Sequence, residues 1–355
     1  MSAPAPLATT ASAPLAVHEL TGGDRARWDD FVDRCPEATF FHRAGWQQVL
    51  TEGLGHAAPF LYAARDGAIE GVLPLAHVRS LLFGRALVST PFCAYGGVAA
   101  TSDPARQALE AEACRRAEAL GVDYLELRHR EPVHTDWPAR RERYVTFRQA
   151  LDPDPAVNLQ RIRRKQRAMI RKGIAAGLVA RVDDDIDGFY RVFAESVRNL
   201  GTPVLHRRYF HALRSAFGAD CELLGVWSGR QRVAGVLSFY FRDEVLPYHG
   251  GGGEGARGLC AHDFMYWTLM HRACEAGVRT FDYGRSKIGS GSYDFKRHWD
   301  FPAAPLHYEY HLVRARALPD RSPLNPKYRH FIAAWRRLPL PVAGTVGPWL
   351  ARHLG

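Results

Sequence analysis

Phe60-Leu61-Tyr62-Ala63-Ala64-Arg65-Asp66-Gly67-Ala68-Ile69-Glu70-Gly71-Val72-Leu73-Pro74-Leu75 reads as an apolar strand, a polar turn with Gly, and a second strand opened by Gly-Val-Leu. The same order returns at Leu223-Leu224-Gly225-Val226-Trp227-Ser228-Gly229-Arg230-Gln231-Arg232-Val233-Ala234-Gly235-Val236-Leu237-Ser238-Phe239. The echo continues downstream. Helical Cys114–Leu120 runs into Gly121-Val122-Asp123-Tyr124-Leu125, and helical Trp267–Ala276 runs into Gly277-Val278-Arg279-Thr280-Phe281. Strand, turn, strand, then helix, Gly, strand is one α/β unit, and its recurrence predicts two copies of one domain in tandem.

A chain of 355 residues accommodates two domains, each able to bury a core. A hydrophobic share of 46% and a charged share of 24% are those of a soluble globular protein. No apolar run approaches the roughly 18 residues needed to span a bilayer. Residues 1–16 are rich in Ala, Pro, Ser and Thr, without Lys or Arg, and read as a disordered leader. Cys35, Cys93, Cys114, Cys221, Cys260 and Cys274 are scattered with no metal-ligand spacing, so no metal is expected, and small buried hydrophobes in a reducing cytoplasm are the reading for all six. The net charge of +10 is concentrated: Arg161–Lys172 and Arg321–Gly355 carry Lys and Arg with no acid. Such a surplus points to an anionic partner, whether a phosphate-bearing substrate, RNA or a membrane surface.

Leu151-Asp152-Pro153-Asp154-Pro155 is the expected boundary, because two prolines interrupt any element. It divides the chain into a first domain (17–150), a second (151–315) and a basic, Pro-punctuated tail (316–355). Within them the spacing predicts a helix at Asp103–Leu120 with Asp103-Pro104 at its start, a basic helix from about Asn158 to Lys172 stopped by Gly173, a helix at Asp187–Asn199, and an edge strand at Leu306–Val313.

Three segments could carry chemistry. His249-Gly250-Gly251-Gly252-Gly253-Glu254-Gly255-Ala256-Arg257-Gly258 sits between a strand and a helix, where backbone N–H groups and a helix N-terminus favour an anion. The bland alternative is a plain connection, yet four consecutive glycines cost backbone entropy that a plain turn does not need. Neither a phosphate-binding Gly-Lys-Ser/Thr nor an Arg/Gln-x-x-Gly-x-Gly/Ala pyrophosphate pattern is present. The second segment runs from Phe281-Asp282-Tyr283-Gly284-Arg285 to Phe295-Lys296-Arg297-His298-Trp299, a strand end followed by a basic loop. Ligands of open α/β sheets sit off strand ends. Lys and Arg there could neutralise a phosphate or an oxyanion, although a solvated loop would look similar. The third is the basic helix with Arg163, Arg167 and Arg171 in line, as compatible with a solvated face as with phosphate binding.

Taken in order, a basic helix ending Arg-Lys-Gly, a strand ending Tyr-His-Gly-Gly, an aromatic helix, Ala-x-x-x-Gly-Val-x-x-Phe-Asp-Tyr-Gly and a final Phe-Lys resemble the FemAB-like branch of the GNAT-related N-acyltransferases. More narrowly they resemble the FemAB-related proteins of PEP-CTERM (exosortase) exopolysaccharide systems. The resemblance covers about residues 17–315. It implies an α/β (α+β) fold of tandem GNAT-like domains, each a mixed, largely antiparallel sheet with flanking helices. Peptidoglycan-bridge members transfer an amino acid from aminoacyl-tRNA to an amine of a cell-wall precursor. Their Phe-Lys pair, which holds the acyl group or a phosphate, matches Phe295-Lys296. Their precursor-site Arg and Tyr match Arg167 or Arg171 and Tyr248. Two departures stand out: the helical arm that some members insert for tRNA is absent, and so is the usual CoA loop.

The expected activity is therefore N-acyl or aminoacyl transfer to an amine on a cell-envelope or exopolysaccharide precursor, with acyl-CoA or aminoacyl-tRNA as donor and a phosphate-bearing or glycan acceptor. Lys296 and Asp282 are the candidate catalytic residues. Arg167, Arg171, Tyr248, His249, Gly250, Gly251, Tyr283, Arg285 and Phe295 are the candidate binding residues, all in or facing the second copy. The rivals are an ordinary acyl-CoA N-acetyltransferase acting on an amino sugar and a non-catalytic binder of RNA or membrane. The tail interleaves Phe331, Ile332, Trp335 and Trp349 with Lys327, Arg336, Arg337 and Arg352, the composition of an interfacial segment at an anionic inner-membrane face; a terminal helix packed on the domain fits equally.

Overall fold

A computed structural model describes residues 13–80, 84–318 and 329–354. Most of the expected leader and the stretch 319–328 of the tail lie outside those residues. The first copy opens with Ala16–Glu19, Leu61–Arg65, Ala68–Leu73 and Ala99–Ala100 in one antiparallel sheet. Asp66 and Gly67 turn the hairpin with φ of 49° and 79°, the left-handed pair that a two-residue turn between twisted strands requires. Pro74 then separates Ala68–Leu73 from Leu75–Ser80, which enters a second sheet with Gly84–Ser89 and Tyr124–His129. Only Gly84–Ser89 and Tyr124–His129 run parallel there. The second copy repeats the plan in Val179–Val182, Cys221–Ser228, Gln231–Phe241, Glu244–Gly252 and Thr280–Asp282, with Glu244–Gly252 parallel to Thr280–Asp282.

Each copy is completed by a strand from the other. Tyr144–Ala150, on the first side of the sequence boundary, runs antiparallel to Thr280–Asp282 in the second sheet. His307–Leu312, on the second side, runs antiparallel to Tyr124–His129 in the first. The division at 150/151 thus separates the chain but not the sheets. It also corrects the reading of 306–313 as an edge strand: His307–Leu312 lies between Tyr124–His129 and Ala139–Arg140, and Glu309 and Tyr308 are buried there.

Other readings need correction. The basic helix is two helices, Pro155–Arg161 and Arg164–Ala175, because Ile162 and Arg163 are extended at ψ of 137° and 142°. Gly173 is inside the second rather than its stop; a Cβ there would lie 2.7 Å from Phe264 Cβ, so it is a contact point with helix Ala261–Glu275. Helix Asp103–Ala119 is capped by Ser102, whose hydroxyl accepts from the Ala105 amide, rather than by Asp103. The tail forms helices Arg329–Trp335 and Leu340–Ala351. Trp335, Ala343, Gly347 and Ala351 are buried, and a Cβ at Gly347 would lie 3.1 Å from the Val204 backbone, so the packed alternative holds for the inner face. Five of the six cysteines are buried and all are free, as small hydrophobes would be.

One aromatic core joins the copies. Phe40 stacks on Phe239 with ring centroids 4.4 Å apart and meets Phe217 at 4.6 Å, so first-copy residues pack directly on the second sheet and on helix Arg207–Phe217.

Candidate active site

The glycine run is the first surprise. Gly250, Gly251 and Gly252 are not loop; they continue strand Glu244–Gly252 opposite Val236, Gly235 and Ala234. Helices press on both faces of this strand. A Cβ at Gly250 would sit 2.5 Å from Tyr266 Oη, at Gly251 2.8 Å from Phe193 Cα, and at Gly252 2.7 Å from Ala256 Cβ. The glycines admit Ile186–Leu200 on one side and Ala261–Glu275 on the other, which is why no side chain is present. The register slips between Leu237 and Ser238, leaving Tyr248 as the extra residue of a bulge.

At that bulge the two parallel strands part. They pair only at Glu244–Thr280 and Val245–Phe281. Beyond, Tyr248 stands between them: a Cβ on Gly284 would be 3.6 Å from the Tyr248 ring, and Tyr248 Oη donates to the Phe92 carbonyl at 2.6 Å. His249 is enclosed by Phe193, Tyr209, Phe210 and Tyr248, with Nε2 3.2 Å from Tyr209 Oη, and burial pushes its imidazole down to about 3.

Lys296 lies on short helix Gly291–Arg297 and points at the strand end. Its Nζ donates to the carbonyls of Tyr283, Gly284 and Arg285 at 2.6, 3.1 and 3.3 Å. Burial lowers its ammonium to about 7, with Asp282 opposing that shift and Arg285 adding to it. Lys296 thus clasps the turn after the strand. Phe295 and Tyr283 join Tyr266 in one aromatic cluster at centroid distances of 5.6 and 5.1 Å, and Gly250 abuts the same Tyr266. Asp263, at the start of helix Ala261–Glu275, bonds Gln166 and is raised to about 6 by burial. Sequence reading passed over it because an Asp in a first helical turn looks like an ordinary dipole partner.

Asp282 faces the other way, into the junction of the copies, and is fully buried. Its carboxylate accepts from Tyr95 Oη (2.8 Å), Thr146 Oγ1 (2.5 Å) and the Gly284 amide (2.7 Å), with Arg148 Nε at 3.3 Å. Arg148 also pairs with Glu244, whose carboxyl burial and Asp282 raise to about 7. Arg285 is likewise internal, bonded to Tyr308 Oη at 3.1 Å and 4.9 Å from the centre of the Tyr144 ring. Among the described contacts none joins Arg167 or Arg171 to this centre; Arg167 bonds back to the Gln160 carbonyl and Arg171 is exposed.

A cavity of about 170 Å³ lies at the strand end of the first copy, lined by His42, Tyr95, Arg106, Arg128, His129 and Arg130 among others. Tyr95 links it to Asp282. Arg128 is tied to Glu126 at 2.6 Å and Arg106 to Glu37 at 2.6 Å, while Arg130 lies over the Tyr95 ring at 5.3 Å and has no carboxylate partner among the described residues. The first copy's strand end is therefore polar too, although sequence reading drew its candidate residues from the second copy.

A parallel strand pair recurs in each copy, and in the second copy it parts beside a bulge. Residues 158–297 match the acetyltransferase (GNAT) domain family. The GNAT match covers Val179–Val182 through Thr280–Asp282 of the second copy's sheet and Phe295-Lys296, leaving out Tyr144–Ala150, and the fold as a whole is a tandem of GNAT-like units. Among solved structures, the chain is similar to FemX at 14% identity, with 89% of this chain and 100% of that one aligned and a TM-score of 0.63. It is similar to the C-terminal domain assigned to a lysylphosphatidylglycerol synthetase of Agrobacterium fabrum (13% identity, 81% and 91%, TM-score 0.53). It is also similar to a tandem GNAT protein of the clavulanic acid biosynthesis pathway (12%, 84% and 99%, 0.52). No curated protein sequence matches it.

Proposed function

We propose that the protein is an N-acyltransferase that moves an acyl or aminoacyl group from a thioester or ester donor to an amine of a phosphate-bearing or glycan acceptor. The observation that carries this reading is the parting of Glu244–Gly252 from Thr280–Asp282 at Tyr248, inside the matched acetyltransferase domain. On the Thr280–Asp282 side the Tyr283–Arg285 carbonyls and the Gly284 amide are bonded within the chain, so the edge this reading offers to an extended acyl arm is that of Glu244–Gly252, as a peptide adds to a sheet edge. The amine attacks the carbonyl carbon, the oxyanion needs donors, and the departing thiolate or alkoxide takes a proton. Lys296 holds the Tyr283–Arg285 turn that forms one lip of the opening, and Tyr248 forms the other. The acceptor's anionic group is assigned on this reading to the first copy's cavity, where Arg130 has no carboxylate partner among the described residues.

The matched domain favours acyl-CoA as donor, and the resemblance to bridge-forming enzymes keeps aminoacyl-tRNA beside it. We place the acceptor among cell-envelope or exopolysaccharide precursors and the protein at the cytoplasmic face of the membrane. Leu340, Val342, Val346 and Trp349 expose an apolar face beside Arg336, Arg337 and Arg352, in support of peripheral contact with anionic lipid. No helix among the described residues is long and apolar enough to cross a membrane. The test is mass spectrometry of amine acceptors incubated with the protein and either an acyl-CoA panel or charged tRNA. Product with one donor class assigns it; no protein-dependent product with either rejects the proposal. Flotation with anionic vesicles, for the full chain against one ending at Pro319, tests the tail; equal flotation removes it.

A further inference from the structure

Cysteine spacing gave no reason to expect a metal, but a different ligand set is assembled from segments far apart in sequence. His129 ends strand Tyr124–His129, His134 follows on the next loop, and Glu309 is delivered by the exchanged strand His307–Leu312. One ligand atom from each lies within 4.8 Å of the other two. His134 Nδ1 is 2.7 Å from Glu309 Oε2, and His129 Nε2 is 3.9 Å from the same oxygen. That His129 nitrogen is buried, aimed at the carboxylate and without a hydrogen-bond partner. An orphaned imidazole nitrogen in a buried site needs an explanation, and a cation between it and Glu309 supplies one.

The surroundings are built as a metal site's would be. Glu309 is fully buried and is aimed by the amides of Val133 and His134 at 2.9 and 3.1 Å. His134 turns its other nitrogen to Glu110 Oε2 at 3.3 Å, the carboxylate–histidine arrangement that orients a ligating ring, and Trp137 stacks on that ring at 4.1 Å. Charge points the same way. Glu110 and Glu309 flank one imidazole, and the neighbouring Arg106 is engaged with Glu37 and the Val98 carbonyl. The cavity lined by His129 and Val133 lies beside the cluster.

We infer that His129, His134 and Glu309 bind one Zn²⁺-class divalent ion, with the fourth position open toward the first-copy cavity. Two imidazoles and a carboxylate suit zinc, whose ligand distances of about 2.0–2.2 Å require the present hydrogen-bonded atoms to open slightly around the ion. The site does not rest on the acyl-transfer reading, and its open position faces the cavity to which that reading assigns the acceptor. It would fasten the exchanged strand to the first copy.

The experiment uses the full chain stripped with a chelator and titrated with Zn²⁺ against a chromophoric competitor, and with Co²⁺ by visible absorption. We expect one ion per chain at submicromolar affinity and intense Co²⁺ d–d bands of a four- or five-coordinate site. His129→Ala should weaken binding by at least about 10-fold, and Glu309→Gln more, while exposed His271→Ala changes nothing. Binding that is absent from the wild type, or equal in folded His129→Ala, overturns the inference. If both ligand variants fail to fold, the wild-type Co²⁺ spectrum decides: no d–d bands means no site.

Discussion

Lys296 illustrates how a side chain matters through its partners. Its ammonium satisfies three successive carbonyls, and nothing else among the described residues donates to them from a side chain. Lys296→Ala leaves those carbonyls with water or nothing, at a cost of about 1–3 kcal/mol in stability. The turn they belong to lines the proposed opening, and displacement by about an ångström can cost roughly 100-fold in rate. We therefore expect turnover to fall far more than the urea midpoint; an unchanged rate would take Lys296 out of the mechanism. His249 gives a pH prediction. Its pKa is about 3 in the folded protein, lowered by burial, against about 6.5 when unfolded. Between those values only the unfolded chain binds the proton, so stability is complete above pH 6.5 and falls as pH drops toward 3. His42, lowered by burial to about 4, acts in the same direction. Thermal melts should shift down from pH 7 to pH 5, and by less in His249→Asn; an equal shift in both would exclude His249 as a source.

At the scale of an element, strand Glu244–Gly252 shows what a sequence conveys and what it conceals. The repeat, the hairpins and the helix starts were legible because turn residues, caps and apolar periodicity are local properties. Phe295-Lys296 and the Asp282–Arg285 strand end could be singled out as candidate segments for the same reason; the structure places Gly250, Tyr283 and Phe295 around Tyr266, with Lys296 on the turn that begins at Tyr283. The role of the glycines was not legible. Four in a row read as a loop because the helices that press on them, from 186–200 and 261–275, are set by tertiary packing. The two origins predict different mutants. In an anion-binding loop Gly251→Ala would spare stability and weaken a ligand. In a strand where its Cβ would lie 2.8 Å from Phe193 Cα, a backbone atom that cannot rotate away, it should cost about 1–3 kcal/mol by urea unfolding. Gly255→Ala, where a Cβ meets open space but φ is +85°, should show only the smaller cost of about 1 kcal/mol for a left-handed residue. Equal effects at both positions would reject the packing account.

For the whole molecule the decisive fact is the exchange of final strands. Tyr144–Ala150 and His307–Leu312 could not be assigned from sequence, since each alternation fits either sheet and pairing is non-local. The exchange explains why Tyr95 of the first copy holds Asp282 of the second and why Tyr308 bonds the Ala94 carbonyl while accepting from Arg285. It also means that neither copy is a complete folding unit. A fragment of residues 13–150 lacks the strand that covers Tyr124–His129 and exposes that ladder; a fragment of 151–354 lacks the strand beside Thr280–Asp282. Each would carry an open apolar edge, the usual template for aggregation. We expect both fragments to be insoluble or molten when expressed alone. A circularly ordered variant that supplies each sheet with its exchanged strand in cis should be the only division that yields a folded half. Cooperative unfolding of either simple fragment, with native-like near-ultraviolet dichroism, would show that the exchange is dispensable. Because the buried Asp282 bonds Thr146 and faces Arg148 of an exchanged strand, the same result would also detach the second copy's chemistry from the first.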